Sequence, residues 1–264
     1  MARLKPLYEP RPDRKLRVAV LFSGGASALR HLVERDPHYG QLYEVVGALT
    51  DRPDASGVAF CRQRGIPVKA LDFRAFLKER GASFRDWGAR RAYFAGVVEA
   101  LRAWAPDVLL LSGFLLVITE PLLSAYRFRI VNVHPADLTI TDERGRRKYV
   151  GLGLDVVRRA IKTGEPVTRS TVHLVTEEVD GGPVLVLSEP LPVEPGVRPE
   201  EHQERMKWAC DGPAVQEALE LIATGRVLLD PDTGRVAIAL ERDRELKRAP
   251  RGSRSAGGLG GSGR

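Results

Sequence analysis

Two cysteines, Cys61 and Cys210, are all the chain has, and they stand too far apart for a metal-type spacing and too few for a disulfide framework. A reducing, cytoplasmic setting is the expectation that follows. The sequence also lacks any run of about 18 apolar residues, and its start lacks the apolar core of a signal peptide, so no membrane role is expected. Its five histidines fall in no ligand spacing, so no metal is expected. No Gly-x-Gly-x-x-Gly stretch follows a strand, which argues against a dinucleotide site. No serine or cysteine stands in an obvious nucleophile position. No internal repeat is present.

What remains is a chain of 264 residues, long enough to bury a full core, with ordinary proportions of hydrophobic (43%) and charged (28%) residues. The net charge of +7 favours anionic partners. Much of that excess lies toward the two ends, so it says little about a site, and nucleic acid is not an expected partner. Residues 1–16 read as a polar arm, 17–241 as one domain, and 242–264 as a basic, Gly/Ser-rich disordered tail. Oligomeric state is left open.

Strand and helix patterns alternate. Val18–Phe22 is a continuous apolar run, as expected of a strand buried on both faces. The turn Ser23-Gly24-Gly25-Ala26-Ser27 follows, then a helix. Tyr43–Leu49, Pro67–Leu71, Val108–Leu111 and Arg129–Val133 read as further strands. The spacing predicts helices over Ala55–Arg64, Arg85–Ala105 and Glu120–Tyr126. Trp87, Tyr93, Phe94 and Trp104 are assigned to packing of the second of these. Beyond His134 come a polar, basic stretch to Tyr149, a helix over Leu154–Ile161, and strands near Ser170–Thr176 and Val184–Leu187. A helix over Pro199–Ala223, interrupted at Asp211-Gly212-Pro213, and a hairpin over Val227–Leu240 complete the pattern. The fold class is therefore α/β, a doubly wound, mostly parallel sheet with antiparallel additions toward the C-terminus. Ligands of such sheets gather beyond the carboxyl ends of the strands. Gly24-Gly25, Gly113-Phe114 and Asn132-Val133-His134 all sit at such ends.

The chemistry concentrates in Asn132, His134 and a later carboxylate, Asp180. Together they suit acyl transfer: an amide to hydrogen-bond a developing oxyanion, an imidazole to carry a proton, and an acid to orient and charge it. Taken singly each has a bland alternative: a turn-capping Asn, a structural His, a turn Asp before Gly181-Gly182. Asn132 and His134 at a strand end, joined to Asp180, favour catalysis. His173, on a strand, is read as a supporting core residue. The turn Ser23–Ser27 offers main-chain N–H groups at a helix N-terminus, an anion site in principle, although a tight turn needs small residues on steric grounds alone.

Ser23-Gly24-Gly25, Pro106-Asp107-Val108 with Gly113-Phe114, Asn132-Val133-His134-Pro135, Thr171-Val172-His173 and Val179-Asp180-Gly181-Gly182-Pro183 resemble, in order and setting, the folate-dependent formyltransferases. The likeness is nearest to the branch that formylates phosphoribosylglycinamide in purine synthesis. It runs from about Arg17 to Leu229. It implies the formyltransferase fold, 10-formyltetrahydrofolate as formyl donor, and a small phosphorylated amine as acceptor. It also implies roles. Asn132, His134 and Asp180 would be catalytic. Leu115, Leu116, Val117 and Ile118, with Thr176, Glu177, Glu178 and Val179, would wall the pterin of the donor. Ser23, Gly24, Gly25, Ala26 and Ser27 would hold the acceptor's phosphate.

The sequence departs from the family at the acceptor side. The phosphate turn carries Ala26 and Ala28 where Gly and Asn are usual. Leu116 takes the place of a pterin-side Arg, and no Glu-His pair stands near Lys207-Trp208-Ala209. About ten extra residues, including Arg144-Gly145-Arg146-Arg147-Lys148, follow the His134 segment, either as a substrate-contacting lid or as a solvated hairpin tip. Another amine acceptor (an amino sugar nucleotide, or aminoacyl-tRNA with a further RNA-binding domain), water as acceptor, and a non-catalytic folate- or anion-binding scaffold are the alternatives.

Overall fold

The computed structural model describes residues 4–239; the tail expected at 242–264 lies outside the described residues. In chain order the first half contains β1 (Lys5–Pro6), β2 (Leu16–Phe22), α1 (Ser27–Arg35), β3 (Tyr43–Thr50), α2 (Ser56–Gln63), β4 (Val68–Ala70), α3 (Phe73–Glu79), α4 (Trp87–Arg102), β5 (Val108–Leu111), α5 (Leu122–Ala125) and β6 (Ile130–His134). The second half adds α6 (Gly153–Lys162), β7 (Val167–Thr168), β8 (Thr171–Leu174), β9 (Val184–Leu187), β10 (Leu191–Pro192) and α7 (Pro199–Met206). A π-helical turn over Lys207–Asp211, then α8 (Gly212–Ala223), β11 (Val227–Leu229) and β12 (Val236–Ile238) complete it.

The main sheet has the order β4-β3-β2-β5-β6-β8-β9. Its first five strands run parallel, and β8 and β9 are added antiparallel. The doubly wound, mostly parallel sheet with antiparallel additions is therefore the architecture that forms. Central strand β2 explains why: every side chain along it has to be covered. Leu16, Val18, Val20 and Phe22 face a core shared with α1, α2 and α8. Ala19 and Leu21 face a second core, where Tyr93, Phe94, Val97 and Leu101 of α4 lie. From β2 the chain winds outward through β3 to β4, then returns to β5 on the other side and continues to β6. The reversal opens a crevice beyond the carboxyl ends of β2 and β5.

Several local features differ from the sequence reading, each for a physical reason. Helix α3 was not expected. It is started by Asp72, whose Oδ1 accepts from Arg74 N at 2.9 Å and Ala75 N at 3.0 Å. Trp87 is not a packing residue: at the first turn of α4 it is 71% exposed. Trp104 does pack, against the Cα of Gly47 in β3. The polar N-terminal segment is seated: β1 pairs with β11 in a small sheet with β12, and Tyr8 is buried. The expected break at Asp211-Gly212-Pro213 is instead the wide turn Lys207–Asp211, which runs directly into α8. Gly212 lets it pass His31, since a Cβ there would lie 2.4 Å from the imidazole.

Gly47 offers a direct test of this packing. A Cβ at that position would lie 2.2 Å from the Trp104 ring, so Gly47→Ala has to displace the indole or the strand. A loss of about 1–3 kcal/mol is expected from overpacking, measured by denaturant unfolding; an unchanged midpoint would show that Trp104 does not seal this edge of the core.

Candidate active site

Strand β6 sets the site. Its alternation sends Val131 and Val133 into the core with α8 and leaves Ile130, Asn132 and His134 on the opposite face. Antiparallel pairing with β8 then puts Asn132 directly across from His173. Asn132 Nδ2 lies 3.1 Å from His173 Nε2. His173 Nδ1 lies 2.9 Å from the Leu174 carbonyl oxygen, which can only accept. The proton of a neutral His173 therefore sits on Nδ1, and Nε2 receives one N–H of Asn132. That bond fixes the amide plane and leaves its second N–H for another acceptor. His173, read as a supporting residue, holds the amide directly.

His134 is 3% exposed. Its Nε2–H donates to the Tyr149 carbonyl at 2.7 Å, which leaves Nδ1 as the basic nitrogen of the neutral ring. Nδ1 faces Asp180 Oδ1 at 3.6 Å, too long for a direct hydrogen bond. Orientation of the imidazole thus comes from Tyr149, and Asp180 supplies charge. Burial lowers the His134 pKa, and the attraction of Asp180 only partly opposes it. The ring is accordingly neutral at pH 7 and ready to accept a proton at Nδ1.

Asp180 begins the turn to Gly181-Gly182 with φ of 53°, a left-handed conformation that costs a non-glycine residue energy. The turn requires glycine at 182, because a Cβ there would fall 1.8 Å from the Leu174 carbonyl oxygen. Asp180 Oδ2 accepts from Gly151 N at 2.8 Å, and Oδ1 lies 3.5 Å from His173 Nε2. Burial pushes its carboxyl up, but His173, His134 and the Gly151 N–H together hold it below the ordinary carboxylate range. It is ionised at neutral pH.

Asn132, His134 and Asp180 line one cavity of about 570 Å³, within the range of small-molecule sites. Both segments assigned to a pterin line it as well, Leu115–Ile118 and Thr176–Val179. Leu115 and Val117 are each nearly half exposed, while Leu116 and Ile118 turn into the core. Arg90 of α4 holds this wall through Nη1 to the Val117 carbonyl at 3.1 Å. The turn Ser23–Ser27 is placed differently, since of its five residues only Ser27 lines the cavity. Ser23 Oγ donates to the buried carboxylate of Asp51 at 2.5 Å and accepts from Leu115 N at 2.9 Å. The Gly25 carbonyl takes the side chain of Arg30.

The sequence reading missed the polar groups near Ser27. Gln203, Lys207 and Asp211 line the same cavity. Asp211 closes the π-helical turn and receives Ser170 Oγ–H at 2.5 Å. Burial pushes its pKa up to about 6. The Asp-Gly-Pro triplet looked like a helix break, and that hid the acid. Such wide turns often mark functional sites.

The chain is similar to known proteins over most of its length. The family model described as formyl transferase matches residues 16–210. Phosphoribosylglycinamide formyltransferase of Escherichia coli is 30% identical over 171 residues, covering 65% of this chain and 71% of that protein. The trifunctional purine biosynthetic protein adenosine-3 of Drosophila melanogaster is 31% identical over 222 residues, 83% of this chain. The match spans only 15% of the fly protein's length. Among solved structures, glycinamide ribonucleotide transformylase 1 of Symbiobacterium toebii superposes with a TM-score of 0.71 at 28% identity, covering 86% of this chain and 95% of that one. A matched stretch that spans the parallel sheet, β8, β9 and all three groups at the carboxyl end of the cavity leaves one conclusion: the chain belongs to the formyl transferase family.

Proposed function

We propose that the protein transfers a formyl group from 10-formyltetrahydrofolate to the primary amine of glycinamide ribonucleotide. The observation that carries the reading is that Asn132, His134 and Asp180 meet in one cavity. That cavity also has an apolar wall for a ring system and a polar end for a phosphorylated amine. The names borne by the relatives that match most of their own length support it.

Leu115–Ile118 and Thr176–Val179 would hold the donor, which supplies a formyl group carried on nitrogen. Ser27 and Lys207 would meet the acceptor's phosphate, and Gln203 and Asp211 its neutral polar groups. Asn132 donates its free N–H to the formyl oxygen as negative charge builds there, an interaction of the kind worth about 3–4 kcal/mol of barrier. His134 takes the proton released by the attacking amine at Nδ1. The ionised Asp180 beside it stabilises the resulting imidazolium. With the amine as nucleophile, no serine or cysteine is required. Among the described residues no helix is long and apolar enough to cross a membrane, and a cytoplasmic setting is part of the proposal.

An assay of folate product release tests the reading. Turnover with glycinamide ribonucleotide, and background alone without it, is the expected result; equal turnover without acceptor would mean a hydrolase. Asn132→Ala and Asp180→Asn should each lower kcat by about 100-fold or more. Activity within threefold of wild type for either would remove the role given to it.

Asp211 makes a separate prediction about stability. Its pKa is raised on folding to about 6, from about 3.9 in an unfolded chain. The contribution of this group is thus fully present below pH 4 and lost as pH rises through 6. Asp211→Asn should therefore stabilise the protein at pH 7.5 by about 1–3 kcal/mol, with the gain vanishing near pH 4, while weakening acceptor binding. Thermal unfolding at both pH values measures it, and an equal effect at each would contradict the charged, buried state.

A further inference from the structure

The basic insert after β6 offers cations to a substrate phosphate, but three of them, Arg146, Arg147 and Lys148, have partners within the protein. Arg146 pairs with Asp142 at 2.8 Å. Lys148 reaches Glu165 at 3.0 Å and lies over the Tyr149 ring. Arg147 points the other way, into the catalytic loop. Its Nη1 donates to the Asp180 carbonyl and its Nη2 to the Gly182 carbonyl, the latter at 2.9 Å. One guanidinium thus forks across the turn that carries the catalytic acid.

Three neighbouring residues complete the attachment. The Tyr149 carbonyl fixes the His134 ring. The Gly151 N–H binds the Asp180 carboxylate. Between them, the Val150 carbonyl is gripped by Arg159 of α6. A five-residue stretch, Arg147 to Gly151, therefore contacts both His134 and Asp180, and Arg159 ties that stretch to a helix. The strained backbone of Asp180 gives the fork something to do. Without it, the left-handed residue and its two glycines could swing the carboxylate out of line with Nδ1.

We propose that Arg147 is a positioning residue that clamps the Asp180–Gly182 turn, making the insert a brace for the catalytic acid and not a substrate-binding lid. Its two bonds go to main-chain carbonyls, so its effect passes through the geometry of Asp180. The planar fork is the active feature, because an ammonium cannot span two carbonyls in the same way. The proposal rests on the formyl-transfer reading for its kinetic consequences and on structure alone for the clamp itself.

The test uses the full chain with Arg147→Ala, Arg147→Lys and, as a control in the same insert, Arg146→Ala. Arg147→Ala should lower kcat by about 10–100-fold, the scale of small misplacements in an active site, with KM for donor and acceptor within threefold. Arg147→Lys should recover little of that loss, and Arg146→Ala should match wild type. A raised acceptor KM at unchanged kcat would make Arg147 a substrate contact and overturn the proposal. Full recovery by Lys, or a loss of activity that merely tracks a loss of folded protein, would overturn it too. Should Arg147→Ala fail to fold, Arg147→Lys carries the same comparison against wild type.

Hydrogen–deuterium exchange on the substrate-free protein keeps the two readings apart. Amides of residues 176–182 should exchange at least tenfold faster in Arg147→Ala, with the main sheet unchanged. Unaltered exchange there refutes the clamp whatever the kinetics show. A wild type inactive with donor and acceptor would refute the formyl-transfer reading and leave exchange to decide the clamp.

Discussion

The pairing of β6 with β8 is the constraint on which the site depends. A parallel sheet delivers one set of side chains to its carboxyl edge, each strand ending in its own loop. An antiparallel neighbour brings the chain back along the same edge, so that residues at the end of one strand stand opposite residues at the start of the next. Here that register sets Asn132 across from His173. It also returns the chain, nine residues past β8's first residue, to Asp180. A slip of one residue would exchange Asn132 and His134 for the valines between them. The buried alternation of β6 and the cores on both faces of the sheet prevent that slip.

The charged groups of the cavity show how burial divides the labour among them. Desolvation acts on all three in the direction that removes charge. It prevails at His134, against the pull of Asp180 and the Tyr149 carbonyl, and at Asp211, against Ser170 and Lys207. At Asp180 it is outweighed, because two imidazoles and a main-chain N–H converge on one carboxylate. A neutral base beside a fixed anion is the arrangement a proton transfer from an amine requires.

Much of this was legible in the sequence. The continuous apolar strands identified the parallel sheet because a strand covered on both faces has no polar positions to offer. Asn132 and His134 stood out because strand ends mark where a doubly wound sheet opens, whereas Asp180, a turn residue by its surroundings, was singled out only by the family resemblance. The acceptor side was not. Asp211 was hidden inside a triplet that reads as a helix break, and only the packing of Gly212 against His31 shows the helix continuing. The partners of Arg147 were also out of reach, since they are carbonyl groups 33 and 35 residues away and carry no side-chain signature. Trp87 shows the opposite limit: helical spacing placed it among packing residues although it lies on the outside of the first turn.

Ser23 has a different consequence. Its hydroxyl joins the end of β2 to a buried carboxylate from β3 and to the loop that follows β5. Replacing it with alanine would orphan both partners at once. Ala26 and Ala28, a few residues on, contribute no side-chain polar group to anything. Both are nonetheless buried in the core, and Ala26 holds a left-handed φ of 52°, so a larger side chain at either would disturb the packing. The turn is thus fixed by the scaffold behind it, and of its residues only Ser27 is presented to the cavity.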